Sequence, residues 1–188
     1  MIRKFLAISL ACLIVSCSGS SGGESAPTDN KGGTHTGNEG GGKPLQERLM
    51  ELEESGEIPK LERGSTLTGS DLNANGVRDD IEAILARNYS SDAQHAAAMQ
   101  TAKALQKTLT VDTTNLQAVK AVAREISYGI NCIYSKFDGA EGTTQPSAVV
   151  YELRAITTNT KQRLLAYLQF NKALDGSSSA LPKGDTCE

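Results

Sequence analysis

Tryptophan is absent from this chain, and aromatic residues, histidine and cysteine are scarce. The 188 residues are 4% aromatic and include two histidines and four cysteines. Any core must therefore be built from Leu, Ile, Val and Ala. The sequence also lacks the G-x-S-x-G, P-loop, H-E-x-x-H and c-type haem motifs. His35 lies in a glycine-rich segment and His95 in an alanine-rich helix start, so neither indicates a catalytic centre.

The chain also lacks an apolar run long enough to cross a bilayer, which takes about 20 residues. The apolar stretch from Phe5 to Val15 follows two basic residues and ends in the tetrapeptide IVSC. This arrangement resembles the lipobox of bacterial lipoproteins. The resemblance implies that residues 1–16 are a signal peptide and that Cys17 becomes the lipidated first residue. Cys12 is the weaker alternative, because the apolar run before it is shorter.

The lipobox also predicts a location and a partner. An acylated Cys17 would anchor the mature protein firmly to the lipid bilayer, since two or more acyl chains give stable attachment. The residue after the cysteine is Ser18 and not Asp. By analogy with lipoprotein sorting in enteric bacteria, this favours the outer membrane. Removal of residues 1–16 leaves 17 basic and 22 acidic residues, a net charge of −5. This acidic balance argues against nucleic acid as a partner.

Residues 17–43 are predicted to be a disordered tether. Half of the protein's 18 glycines lie between Ser18 and Lys43, among Ser, Thr and Asn and almost nothing apolar. Such a segment buries too little apolar surface to offset its ordering entropy. As a flexible coil it has a root-mean-square span of about 30 Å. We therefore expect it to hold a folded domain, residues 44–188, away from the bilayer.

The domain shows the periodicity of amphipathic helices. Apolar residues recur three or four positions apart along several stretches. The clearest are Ile81, Ile84, Leu85 and Tyr89; Ala98, Ala102, Leu105 and Leu109; and Val119, Val122, Ile126, Ile130, Ile133 and Phe137. We expect a short acidic helix from Pro44 to about Gly56, with Leu45, Leu49 and Leu52 on one face, and a last helix over residues 147–174. No stretch shows strand-like alternation, so the sequence predicts an all-α bundle of about four to five helices.

Local signals predict where some helices begin and where one breaks. Ser91 with Gln94, and Thr114 with Gln117, fit the capping box that satisfies the first amides of a helix. The centre of the last helix reads ITTNT, residues 156–160. Because β-branched residues and Asn disfavour helix interiors, we expect a kink or break there.

The two cysteines of the domain, Cys132 and Cys187, are expected to form a disulfide. An exported protein folds in an oxidising compartment, where pairs of thiols form disulfides. Cys187 is the penultimate residue, so a bridge would fix a Gly/Ser-rich tail that has no other reason to be ordered. A metal or catalytic thiol is the alternative, but no nearby histidine or further cysteine supplies ligand spacing.

The segment DLNANGVRDDIE, residues 71–82, carries oxygen-bearing side chains at alternate positions. The EF-hand pattern requires oxygen ligands at loop positions 1, 3, 5, 9 and 12, glycine at 6 and a backbone carbonyl at 7. The ligand positions hold Asp71, Asn73, Asn75, Asp79 and Glu82, with Gly76 and Val77 at positions 6 and 7. The spacing predicts that these residues bind Ca²⁺.

A metal-free turn is the alternative interpretation of the same segment. Asp79 could cap the following helix, with Glu82 completing a capping box, and Asn-Gly favours a turn. That interpretation gives Asp71, Asn73 and Asn75 no role. The alternating oxygens therefore favour calcium.

The loop resembles the thrombospondin type 3-like and other EF-hand-like loops of secreted bacterial proteins. Paired EF-hands have an apolar residue at position 8, whereas this loop has Val77 at position 7 and Arg78 at position 8. Together with YLQFNKALDG at residues 167–176, the loop makes the chain similar to a group of uncharacterised secreted bacterial helical proteins. The resemblance implies a structural calcium site and brings no activity with it. Two Asn in place of Asp indicate modest affinity, with a Kd of about 10⁻⁴–10⁻³ M.

These features predict a non-enzymatic lipoprotein of the cell envelope. Its helical domain, stabilised by calcium, would serve as a binding or structural module tethered to the membrane. The expected partners are the bilayer, through Cys17, and an envelope protein or glycan. The alternative function is an envelope hydrolase that uses carboxylates, which a cleft lined by converging acids would favour.

Overall fold

The computed structural model describes residues 43–180 and 182–188, and all of the regular structure there is helical. Six helices follow one another along this part of the chain: α1 (Leu45–Glu54), α2 (Asp79–Asn88), α3 (Asp92–Lys107), α4 (Leu116–Lys136), α5 (Pro146–Thr157) and α6 (Lys161–Ala173). No strand occurs in the described residues. The all-α prediction is therefore confirmed.

The N-terminal predictions fall outside the described residues. They concern the signal peptide, lipidated Cys17 and the tether, of which only Lys43 is described. Lys43–Glu188 forms one compact unit. No helix in the described part is long and apolar enough to cross a membrane.

The helix predicted across residues 147–174 is divided in two. α5 ends at Thr157, and α6 begins at Lys161. The residue before α6, Thr160, caps it by accepting a hydrogen bond from the backbone N–H of Arg163 at 3.3 Å. The break expected at ITTNT is therefore present, and it raises the number of helices to six.

The third helix, α3, lies at the centre of the domain and packs against α2, α4 and α5. Small buried residues, including Ala98 and Ala102, allow its neighbours to approach closely. A Cβ atom at Gly129 of α4 would lie 2.6 Å from the Thr101 hydroxyl and 2.9 Å from the Thr101 Cα. The absence of a side chain at position 129 is therefore what permits the contact between α3 and α4.

The main core is largely aliphatic and draws on every helix from α2 to α5. Ile81, Ile133 and Leu153 are completely buried in it. Tyr89 and Phe137 add an edge-to-face aromatic pair with ring centroids 5.3 Å apart. Most residues of the apolar stripes predicted for α2, α3 and α4 lie in this core, whereas the N-terminal part of the α4 stripe packs in a second, smaller cluster with α6.

The first helix, α1, does not join this core. None of its residues is buried, and Leu45 and Leu49 of the predicted stripe are exposed, whereas Leu52 is half-buried. An ion pair between Glu53 and Arg63, with nitrogen and oxygen 2.5 Å apart, connects α1 to the segment that follows. The helix was predicted correctly, and its apolar face contributes no buried residue.

Both capping-box predictions are wrong in detail. Ser91 precedes α3, but its side chain makes no capping hydrogen bond. The residue that caps α4 is Asn115, which accepts the backbone N–H of Gln117 at 3.1 Å. Thr114 instead donates its hydroxyl to Asp112 at 2.7 Å. An asparagine one position closer to the helix outcompetes the threonine for the free amides.

Candidate metal centre

The side chains at loop positions 1, 3 and 5 shape the backbone of the loop. Asp71 accepts the backbone N–H groups of Asn75 and Gly76 at 3.1 and 2.9 Å. Asn73 also accepts from the N–H of Asn75 at 3.1 Å, and Asn75 accepts from that of Val77 at 2.8 Å. Asp and Asn side chains that bond the backbone a few residues ahead favour tight turns. The alternating pattern in the sequence therefore curls the chain around its own oxygens.

Two residues of the loop adopt left-handed backbone conformations. The φ angle is 54° at Ala74 and 88° at Gly76. A Cβ atom at position 76 would meet only the flexible side chain of Lys103, at 3.4 Å. The backbone conformation, rather than crowding, is therefore what favours glycine at position 6.

Glu82, in the first turn of α2, closes the loop from the opposite side. Its two carboxylate oxygens accept from the side-chain amide of Asn73 at 3.2 and 3.1 Å. One of them also accepts from the side-chain amide of Asn75. Asn75 in turn donates its backbone N–H to Asp71. The fold thus brings four of the six predicted ligand residues together.

Asp79 contacts the entrance of the loop rather than Glu82. Its carboxylate accepts the Ser70 hydroxyl at 2.6 Å and the Leu72 N–H at 3.0 Å. The hydrogen bond from Ser70, and then that from Leu72, hold the pKa of Asp79 below its ordinary value. The backbone N–H of Asp79 also donates to the Ser70 carbonyl at 2.8 Å. These contacts join the two ends of the loop beside Asp71.

The metal-free interpretation is contradicted at one point and strengthened at another. The helix begins at Asp79, and the residue before it, Arg78, makes no side-chain cap. Glu82 reaches the asparagines instead of completing a capping box. However, the alternating residues do have roles in a turn without metal, because each accepts a backbone N–H. The expectation that they would have none is wrong.

Packing explains the unusual residues at positions 7 and 8 of the loop. Val77 is 1% exposed and belongs to the main core. Arg78 is also completely buried, and its guanidinium makes a two-point contact with the carboxylate of Asp80. It also donates to the carbonyl of Ile156 at 3.0 Å. The side chain of Arg78 therefore fixes the loop to the end of α5.

A second buried arginine, Arg163 of α6, holds the segment that leads into the loop. Its guanidinium donates to the backbone carbonyls of Glu62, Thr66 and Leu67 at 2.8, 3.1 and 3.1 Å. It also donates to the Glu62 carboxylate at 2.5 Å, and this bond is the main reason that the pKa of Glu62 lies below its ordinary value. The same carboxylate lies 3.9 Å from Nε of Arg78. The two arginines and Glu62 thus support the loop from behind.

Sequence reasoning missed the burial of both arginines. Arginine is almost never fully buried unless it is paired, so a lone arginine in a helix indicates an exposed position. Apart from Asn159, the partners of the Arg163 guanidinium lie 96 to 101 residues away in the chain. For Arg78 one signal existed, since it occupies a loop position where EF-hands carry a buried apolar residue.

The donor groups of the loop fit calcium by their chemistry. Within the described residues, no three side chains of His, Cys, Asp or Glu gather in an arrangement that could hold a metal ion. The loop would instead combine the carboxylates of Asp71 and Glu82 with the amide oxygens of Asn73 and Asn75 and the carbonyl of Val77. Such hard oxygen ligands are those that Ca²⁺ prefers. A half-turn of either amide would bring its oxygen towards Glu82, at the cost of the hydrogen bond that this oxygen accepts from the backbone N–H of Asn75 or Val77.

Away from the loop, the C-terminal tail is fixed to α3 and α4. A disulfide joins Cys132 and Cys187, whose Cα atoms are 5.0 Å apart. The Thr186 hydroxyl donates to the carbonyl of Tyr128 at 2.8 Å, and the Thr186 carbonyl accepts from Gln100 at 2.8 Å. The tail is therefore held by a covalent bond and by hydrogen bonds to both helices.

Comparisons with protein families, curated proteins and solved structures found no match for this chain. The resemblance to secreted bacterial proteins with thrombospondin type 3-like loops therefore stays a prediction that rests on the motifs. The lipid anchor at Cys17 stays a prediction as well.

Proposed function

We propose that this protein is a non-enzymatic lipoprotein of the bacterial envelope whose helical domain is stabilised by calcium and binds another envelope component. The convergence of Asp71, Asn73, Asn75 and Glu82 carries the calcium part of the proposal. Three separate features of a calcium loop coincide there: alternating oxygens, a left-handed glycine at position 6 and a glutamate that returns from the following helix.

Calcium in this loop would act on the structure rather than on a reaction. The ion would supply positive charge against the carboxylates of Asp71, Asp79 and Glu82. The chain itself connects the loop to the domain, because Val77 is part of the core and Arg78 bonds Asp80. Stabilisation of the loop would therefore be transmitted to the helices around it.

The membrane attachment in this proposal rests on the lipobox. Acylated Cys17 and a flexible tether of residues 17–43 would leave the helical domain free to reach a partner within about 30 Å of the bilayer surface. An outer-membrane location follows from Ser18.

The non-enzymatic part of the proposal draws on a cavity beside α4. This cavity of about 570 Å³ is lined by basic, hydroxyl-bearing and apolar residues and by no carboxylate. Glu62 and Asp80, by contrast, are bound to arginines. This cavity thus gives no support to a hydrolase that uses carboxylates.

Equilibrium dialysis of the mature protein against radioactive calcium tests the proposal. We expect one bound ion per chain, with a Kd of about 10⁻⁴–10⁻³ M and weaker competition by magnesium, which demands tighter octahedral geometry. Glu82→Ala should abolish binding, whereas Glu141→Ala removes an exposed charge outside the loop and should not. An absence of bound calcium at 10 mM would contradict the proposal.

A further inference from the structure

The cavity beside α4 has the size and lining of a ligand site. It measures about 570 Å³, within the range of about 300–1,000 Å³ that small-molecule sites occupy. One wall is α4, with Lys120, Arg124 and Tyr128, and the other is formed by the residues after α6, including Ser177 and Ser179. The loop of residues 71–82 contributes nothing to this cavity, so the two sites are separate.

The charge of the cavity indicates an anionic ligand. Lys120 and Arg124 lie four positions apart on α4 and therefore on the same face of the helix. In the part of the chain that the structure describes, neither makes an ion pair with a carboxylate. The neighbouring acid, Glu125, is instead paired with Lys107, with nitrogen and oxygen 2.6 Å apart. Two cations without carboxylate partners thus face one cavity on a protein whose net charge is −3.

The hydroxyl groups of the cavity suit a ligand that itself carries hydroxyls. Ser127 and Ser177 donate to the backbone carbonyls of Ala123 and Leu174 at 3.0 and 2.6 Å. Their oxygens can still accept hydrogen bonds, because a hydroxyl has one donor and two acceptor lone pairs. Ser179 adds a further hydroxyl that can donate or accept. This lining is more polar than that of a site for an apolar ligand.

An aromatic surface extends the site along α4. A second cavity of about 410 Å³ shares Ser127 and Pro182 with the first and is lined in addition by Ile130, Asn131 and Tyr134. Tyr128, which lines the first cavity, is 41% exposed, and Tyr134, which lines the second, is 56% exposed. A tyrosine ring offers a flat apolar surface, and its hydroxyl can form hydrogen bonds, so it suits ligands that have both apolar faces and polar groups.

We propose that these joined cavities bind an anionic saccharide, with its carboxylate or phosphate at Lys120 and Arg124 and its ring against the exposed tyrosines. This inference rests on the proposed binding role of the domain and names the chemical class of its partner. The disulfide supports the site indirectly, because it fixes the tail whose earlier residues form the second wall.

Saturation-transfer NMR on the mature chain in neutral detergent, with calcium present, tests this inference. The probes are glucuronate, glucose 6-phosphate and uncharged glucose. We expect transfer to one or both anionic sugars, and whichever responds identifies a carboxylate or a phosphate as the recognised group. The signal should fall at least fivefold in the double variant Lys120→Gln/Arg124→Gln. It should persist in Arg87→Gln/Lys161→Gln, which removes the same charge from exposed positions outside the cavity.

Three results would overturn the inference. One is equal transfer to glucose, and another is equal loss of signal in both double variants. The third is binding to phosphatidylglycerol vesicles through Lys120 and Arg124 without transfer to either sugar, which would make the site one for anionic lipid. Thermal unfolding of the same samples with and without calcium keeps the two proposals apart, because a calcium response with no sugar signal contradicts only the saccharide site.

Discussion

Arg78 and Arg163 are the largest side chains that are completely buried in the described part of the chain. A buried charge is tolerated only when it is paired and hydrogen-bonded. Arg163 meets this condition with contacts to Glu62 and to several backbone carbonyls. Arg78 bonds Asp80 and Ile156, although its Nη1 atom has no partner. These two residues connect the loop to helices that are distant in sequence.

Replacement of Arg78 tests how much this connection contributes. Arg78→Met keeps an unbranched apolar stem but leaves Asp80 without its cation. Removal of one partner of a buried ion pair costs about 3–5 kcal/mol, so urea unfolding should show a loss of that order. Arg87→Met, at an exposed position of α2, should change the free energy of unfolding by less than about 0.5 kcal/mol. Similar losses in both variants would show that Arg78 is not a special support.

The lowered pKa of Glu62 predicts how stability depends on pH. Arg163 stabilises the ionised carboxylate of the folded protein, so the pKa lies below its ordinary value of 4.5. A carboxyl of this kind contributes stability that is complete above its ordinary pKa and is lost as pH falls through the folded value. The free energy of unfolding should therefore decrease between about pH 5 and pH 3. Glu62→Gln should flatten that slope, whereas Glu47→Gln, an exposed change in α1, should leave it as steep as in the parent. If the free energy of unfolding of Glu62→Gln depends on pH as steeply as that of the parent, the ion pair does not have this role.

At the scale of the helices, periodicity predicted more than the local signals did. The apolar stripes of α2, α3 and α4 were recognisable because buried residues recur three or four positions apart along one face of each helix. The break between α5 and α6 was predictable from ITTNT, where β-branched residues accumulate. The caps were not predictable with the same accuracy, because Asn115 and Thr114 both suit that position and only the backbone path decides between them.

The disulfide should control the order of the C-terminal tail. A bridge that closes a loop of 55 residues contributes about 4 kcal/mol in the chain-entropy model, so Cys187→Ser should lower the free energy of unfolding by up to that amount. The tail should also open locally, so trypsin should cut after Lys183 faster than in the parent. Ser178→Ala, in the same tail, serves as the control and should alter neither quantity. Unchanged cleavage in Cys187→Ser would mean that hydrogen bonds alone hold the tail.

For the whole molecule, the fold class followed from the sequence, whereas the surroundings of the loop did not. The residues at the ligand positions were identifiable because calcium imposes a fixed spacing on one short segment. The support behind the loop is different, since Glu62, Arg78 and Arg163 come from three separate regions. Only the tertiary structure brings these charges together, so no local sequence pattern could predict their contacts.

The proposed attachment to the envelope would depend on a single thiol, that of Cys17. Cells grown with labelled palmitate should incorporate the label into the parent protein. Cys17→Ser should abolish incorporation and leave the unprocessed precursor, because the lipobox cysteine is the acylated group. Cys12→Ser is the matched control and should remain labelled. Label in the Cys17→Ser protein would show that the anchor is elsewhere.

The proposal that calcium stabilises the domain makes a quantitative prediction about unfolding. Ligand that binds only the folded state stabilises it by RT ln(1 + [Ca²⁺]/Kd), about 2.7 kcal/mol at a hundredfold excess over Kd. For a domain of this size that corresponds to a rise in Tm of roughly 5–10 °C. Because Asp71 also bonds the backbone of the turn, Asp71→Ala should lower the Tm even without calcium. The informative quantity is therefore the calcium-dependent shift and not the Tm itself.

The most direct measurement is thermal unfolding of the mature protein and of Asp71→Ala in 10 mM calcium, in 10 mM magnesium and in chelator. We predict a rise of several degrees for the parent in calcium, a smaller one in magnesium, and almost none in either ion for Asp71→Ala. Asp175→Ala, which removes an exposed charge after α6, should keep the parental shift. If the parent shows no shift in calcium, or if Asp71→Ala retains it in full, residues 71–82 are a turn that binds no calcium.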